Sequence, residues 1–177
     1  MEALAAGAVV GMIGLFNGAG RLAWASFSDV IGRPNTYITF FVVQVVAFWL
    51  LPSLTAVLMF QVVLYLIMTC YGGGFSTLPA YIGDIFGTKQ VSAIHGYVLT
   101  AWAMAGLVGS SLASFLRQAS GSYAAMTKVF AVIFLVALAV SVAMKIFVNR
   151  ELAKKHLGYK EVEADAMAVA AAEEETA

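Results

Sequence analysis

The chain has 177 residues, 62% of them hydrophobic and 11% charged, with ten Lys and Arg balancing ten Asp and Glu. A soluble domain carries about a quarter charged residues, so this composition excludes an ordinary water-soluble fold; the zero net charge says nothing about nucleic acid, and no nucleic-acid partner is expected. The charges are also segregated: only eight precede Lys145, which leaves the first 144 residues with lipid as their natural solvent.

Mean hydropathy is +0.89, and in lipid each spanning segment must satisfy its own backbone hydrogen bonds. The expected fold class is therefore an all-α membrane protein with five transmembrane helices, over residues 3–27, 36–51, 55–81, 91–116 and 123–148. Cys70 is the single cysteine, so the sequence holds no disulfide framework and no metal-ligand spacing. It also lacks a Ser/His/Asp set and a phosphate-binding glycine loop. An enzyme is not expected, nor is a metal or a cofactor. The N-terminus does not read as a secretory signal, because Glu2 stands where a positive n-region belongs and the apolar run is too long.

In the first segment Gly7, Gly11, Gly14, Gly18, Arg21, Ala25 and Ser28 follow at spacings of four or three, which places them on one helical face. Small residues on such a stripe let another helix approach closely. The stripe turns Arg21 toward a packed interior, with Asn17 one turn below it on nearly the same face; snorkelling to the nearer headgroups is the competing reading. Arg21 precedes Asp29 by about two turns, hence roughly 12 Å deeper in the bilayer. A cation at that depth costs at least ~2.5 kcal/mol and marks a functional-site candidate.

Residues 28–35 form the expected connecting turn, with Asp29 ion-paired near a helix end and Gly32-Arg33-Pro34 starting the next helix. The second segment holds one strongly polar residue, Gln44. In the third, Gln61, Tyr65, Thr69, Gly72 and Ser76 make a polar stripe, and Gly72-Gly73-Gly74 with Pro79 interrupt its far half. Such breaks point either to a binding site or to a packing kink. A second polar turn, residues 83–90, leads to the fourth segment, where His95 lies near the turn and is expected to be a hydrogen-bonded structural residue. Trp102, Gly106, Gly109 and Ala113 share a face there. The fifth segment is almost purely aliphatic. Residues 149–177 follow as an expected disordered tail, with a basic juxtamembrane cluster and an acidic end. By the positive-inside rule, Arg33, Lys89 and the cluster from Lys145 to Lys160 lie in the cytoplasm, which puts the N-terminus outside and the tail inside.

The turn sequence GRLAWASFSDVIGRPN resembles the signature of the major facilitator superfamily. There a Gly (Ala25 here), an Asp (Asp29) and a Gly-Arg pair (Gly32, Arg33) join two helices on the cytoplasmic side. That motif occurs between helices 2 and 3 of the family and again between helices 8 and 9. Three further spans before a basic tail match the second copy, so residues 1–148 are expected to be helices 8–12, a partial transporter domain whose partner is a missing N-terminal half. Together with LPAYIGDIFGTKQVSAIHGYVLTAW, the string NGAGRLAWASFSDVIGRPNTY resembles the oxalate/formate antiporter group and its monocarboxylate-transporter-like relatives, over residues 14–111.

The resemblance implies alternating-access transport of a small carboxylate, with membrane lipid as the other surrounding. Arg21 becomes the anion-pairing group with Asn17 beside it, and Gln61, Tyr65 and Trp102 supply hydrogen-bonding and apolar walls. Asp29, Gly32 and Arg33 form a cytoplasmic latch between rocking halves, and His95 is a candidate proton or anion partner. Two departures stand out: the signature glycine is Ala25, and the fourth segment carries no Lys or Arg. One buried cation balances one carboxylate, whereas a dianion would leave an uncompensated charge. That favours a monocarboxylate unless His95 is protonated. The alternatives are a carrier of another solute, with Arg21 as a structural ion-pair partner, or a non-transporting sensor or scaffold that docks through its tail.

Overall fold

A computed structural model describes residues 3–175, with side-chain surroundings for residues 7–151. Five α-helices occupy almost all of it: α1 (Ala3–Ile31), α2 (Arg33–Leu50), α3 (Val57–Phe86), α4 (Val91–Ser120) and α5 (Tyr123–Glu175). No strand occurs among the described residues, and all five helices are long and apolar enough to cross a membrane. The structure forms two compact units. The first runs to Val142 and contains α1 to α4 and the start of α5; the second begins at Ala143 and is helical as far as Glu175. Helix thus occupies the segment expected to be a disordered tail, while the side chains of its basic cluster beyond Glu151 lie outside the described residues.

Two of the joints between the first four helices, α1–α2 and α3–α4, are shorter than the sequence suggests, whereas the α2–α3 joint takes in residues 51–56, including the 3-10 turn Leu51–Ser53. The expected turn over residues 28–35 contracts to Gly32, with φ 85° and ψ 142°, because α1 continues to Ile31 and Pro34 sits in the first turn of α2. Pro is tolerated there since its missing N–H has no intrahelical partner. Between α3 and α4 the same device recurs at Gly87, with φ 81° and ψ 158°, followed by the short 3-10 turn Thr88–Gln90. Both conformations lie in a region essentially reserved for glycine. A left-handed Gly121 closes α4, its N–H donating to the Arg117 carbonyl at 2.9 Å.

Helix α3 is continuous through Gly72-Gly73-Gly74 and Pro79, contrary to the expected interruption. Neighbouring side chains reinforce the backbone there. Thr77 Oγ1 donates to the Gly73 carbonyl at 2.8 Å, and the Tyr37 hydroxyl of α2 donates to the Gly74 carbonyl at 2.8 Å. Proline leaves the preceding turn short of one donor, and these bonds hold the adjoining carbonyls in place.

The core is the seam between α1 and α3, which run parallel and pair more extensively than any other two helices. A Cβ on Gly20 would collide with the Thr69 backbone, and one on Gly72 with the Asn17 carbonyl. The close approach therefore depends on those two glycines. Trp24 fills the space beside Gly73, meets the Phe40 ring edge-on at 4.9 Å, and donates from Nε1 to Thr69 Oγ1 at 3.3 Å. The expected stripe of Gly7, Gly11, Gly14 and Gly18 instead faces open space. The period was right, but α3 packs on the adjacent face, where Gly20 and Trp24 interlock with it. Likewise Tyr65, Thr69 and Gly72 of α3 face α1, so that polar stripe serves the seam. Helix α5 joins the first unit through Phe130 and Phe134 against Phe48.

Candidate functional site

Arg21 stands near the middle of the α1 span, Gly7–Ile31. Its Nε donates to Asn17 Oδ1 at 3.3 Å, one helical turn away, and its guanidinium carbon lies 5.8 Å from the centre of the Phe75 ring. Asn17 is itself fixed, because its backbone carbonyl lies against Gly72 in the seam. No carboxylate among the described residues pairs with Arg21; both ion pairs belong to Arg33. The expectation of a residue pointed into a packed interior is corrected here. Arg21 is exposed on the open face that carries the glycine stripe, since α3 covers the neighbouring side of α1.

Phe75 links this cation to α4. Its ring meets Trp102 edge-on at 5.4 Å and Tyr71 at 5.3 Å, and Trp102 Nε1 donates to the Tyr71 hydroxyl at 3.0 Å. The structure thus gathers Arg21, Asn17 and Trp102 with Tyr71 and Phe75, two residues not singled out from the sequence. Their signal was an aromatic pair four residues apart on α3, which alone reads as packing. Gln61 and Tyr65 are not in this cluster. They lie toward the N-terminal end of α3, where Tyr65 stacks on Phe16 with centroids 4.7 Å apart.

Chemically, the cluster offers a guanidinium with most of its donors uncommitted. Arginine has five N–H donors in a planar fork, and Asn17 engages the Nε–H alone, leaving the Nη edge open for a bidentate acceptor. Tyr71 accepts from Trp102, so its own hydroxyl proton is available to a further acceptor.

At the turn end of the bundle, Arg33 joins both short polar turns. Its Nη2 lies 3.1 Å from Asp29 Oδ1, and its Nε lies 3.3 Å from Asp84 Oδ2. The Nε–H is buried without hydrogen-bond alignment, so the second contact is electrostatic attraction only. Within this chain the Asp29–Gly32–Arg33 motif therefore ties α1 and α2 to the end of α3. His95, expected to be hydrogen-bonded, keeps a buried Nδ1 with no partner. It sits in the first turns of α4, away from the Arg21 cluster. No group of His, Cys, Asp and Glu that could hold a metal occurs among the described residues.

Behind Tyr71, Phe75 and Trp102 of this cluster, and lined in part by them, a cavity of about 310 Å³ opens among α2, α3, α4 and α5, its walls mainly aromatic and aliphatic, with Gln44 and Cys70 among them.

Comparison with known proteins agrees with this architecture. The chain is 32% identical over 123 residues to a protein of Oxalobacter formigenes named oxalate:formate antiporter. That match takes in 67% of this chain but spans only 29% of the relative's length. No solved structure matches the chain. The family model of the Major Facilitator Superfamily matches residues 1–172, and with five apolar helices joined by the Asp29–Gly32–Arg33 turn, the chain belongs to that superfamily.

Proposed function

We propose that this chain is part of a secondary transporter that carries a small carboxylate across a membrane by alternating access, with Arg21 as the anion-pairing group. The observation that carries the reading is an arginine at mid-span held only by neutral partners, Asn17 and Phe75. A charge at that depth costs at least ~2.5 kcal/mol, and a cation–π contact returns about 0.5–2 kcal/mol. The balance leaves the site wanting an anion. The name of the Oxalobacter formigenes relative, oxalate:formate antiporter, supports the same chemistry.

The Nη fork of Arg21 would receive the two carboxylate oxygens, Asn17 would hold the guanidinium plane, and Trp102 with Tyr71 would close the site from α4 and α3. Gln61 and Tyr65 would line the approach from the other end of α3. With one cation in the cluster, a monoanion is the preferred cargo. The end holding Asp29, Arg33 and Asp84 faces the cytoplasm in this reading, with the N-terminus outside and the C-terminal tail inside. There the Arg33 contacts act as a latch that breaks and reforms as the carrier rocks.

The test is uptake of labelled formate, pyruvate and oxalate by the complete carrier. Arg21→Ala is expected to abolish carboxylate uptake while membrane levels stay unchanged, with formate and pyruvate preferred to oxalate in the unaltered protein. Undiminished carboxylate uptake by the Arg21→Ala carrier would sink the assignment.

A further inference from the structure

The cavity among α2, α3, α4 and α5 borders the Arg21 cluster, sharing Tyr71, Phe75 and Trp102 with it, but no charged side chain lines it. Tyr37, Phe40, Phe75, Trp102 and Phe134 wall it, and Cys70 lines one side. Gln44 is the exception, being 7% exposed and set in the apolar helix α2. Its Nε2 donates to the Ile67 carbonyl at 3.3 Å. That bond fixes the amide's orientation, because only the nitrogen can donate to a carbonyl. The Oε1 is therefore turned away from Ile67, buried, and without any hydrogen-bond partner. An orphaned amide oxygen in such surroundings is destabilising unless something donates to it.

The other polar groups on the walls do not supply that donor. The Tyr37 hydroxyl is committed to the Gly74 carbonyl at 2.8 Å and Trp102 Nε1 to Tyr71 at 3.0 Å, and neither the Tyr71 hydroxyl, whose proton is uncommitted, nor the Cys70 thiol bonds to Gln44 Oε1. We infer that this cavity is a binding site for a small neutral aromatic alcohol, its ring packed among the aromatic walls and its O–H donated to Gln44 Oε1. The volume, about 310 Å³, is at the small end of ligand pockets and suits a compact ring system better than a whole lipid. A carboxylate is disfavoured, since the amide oxygen would repel it and the walls offer no cation. The inference goes beyond the transport reading: it rests on Gln44 and the aromatic walls and gives Arg21 no part, although Tyr71, Phe75 and Trp102 border both sites.

Cys70 provides the readout, since it is the chain's one cysteine and lines the cavity. The full chain, purified in lipid nanodiscs, is exposed to methyl methanethiolsulfonate, and intact mass follows the modification of Cys70. Competing probes are 2-naphthol, naphthalene and 2-naphthoate. The expected result is slow modification that 2-naphthol retards at about tenfold lower concentration than naphthalene, the difference made by one hydrogen bond to a buried oxygen. The naphthoate should protect no better than naphthalene.

In Gln44→Met, naphthol and naphthalene should become equivalent, and the unchanged rate without probe would show that the cavity persists. Equal protection by naphthol and naphthalene in the unaltered chain would overturn the proposal, as would strongest protection by naphthoate. So would a Cys70 that never reacts, because a site open to naphthol must admit the smaller thiol reagent. If Gln44→Met disturbs the fold, the comparison of the three probes on the unaltered chain still decides.

Discussion

Arg21 shows how much a single side chain can disclose. A cation two helical turns inside an apolar run is legible from sequence because its insertion cost demands a reason, and Asn17 follows from the one-turn spacing. Tyr71 and Phe75 were not legible. Aromatic residues on an apolar helix look like packing until a cation and an indole are seen against them. Phe75→Leu should therefore weaken carboxylate affinity by roughly 3- to 10-fold, about the ~0.5–1.5 kcal/mol of a modest cation–π contact, with little change in membrane level; concentration-dependent uptake in the complete carrier checks it. Arg21→Lys should restore only a small part of the uptake lost in Arg21→Ala, because an ammonium cannot offer the planar fork that Asn17 holds. Gln61 and Tyr65 show what helical spacing leaves open: one stripe on α3 can serve a seam as well as a site, and Tyr65 is stacked on Phe16 in the α1–α3 seam.

Among the elements, α1 and α3 define the bundle, and steric fit outweighs hydrogen bonding there. An interhelical hydrogen bond in a membrane contributes about 0.6 kcal/mol on average, whereas forcing a side chain into a packed seam costs typically ~1–3 kcal/mol or more. Gly72→Val should consequently lower the unfolding midpoint in detergent far more than Trp24→Phe, which removes the indole N–H bonded to Thr69. Gly11→Val should leave the midpoint nearly unchanged, because that position opens onto space. Spacing singled out Gly7 to Gly18 and passed over Gly20, because a lone glycine off the stripe carries no periodic signal. Only the partner helix ranks the two, and its docking face is set by Trp24 and Thr69 together. The five spans themselves were plain from hydropathy, although α1, α3 and α4 run about four or five residues past their expected ends and α2 starts three residues early, because hydropathy falls at the polar turns before the helices stop.

Taken as a whole, the first unit is unevenly held. The α1–α3 seam is tightly packed, whereas α4 has no buried residue. Regions with few packing contacts open at lower free energy. Hydrogen exchange of the detergent-solubilised chain should therefore show α4 amides exchanging well before those of α1 and α3 near Gly20 and Gly72. Uniform protection across all helices would contradict this picture.

The lone residue between α1 and α2 has a mechanical consequence. With Gly32 as the whole joint, neither rod can roll about its long axis without dragging the other, unless that glycine's two dihedrals absorb the motion. The pair behaves as a crank with a one-bolt elbow, and Arg33 braces the elbow against Asp84. Two alanines inserted after Gly32 would give the crank slack: spectroscopic distances between labels on α1 and α2 should broaden markedly, even though every span keeps its length.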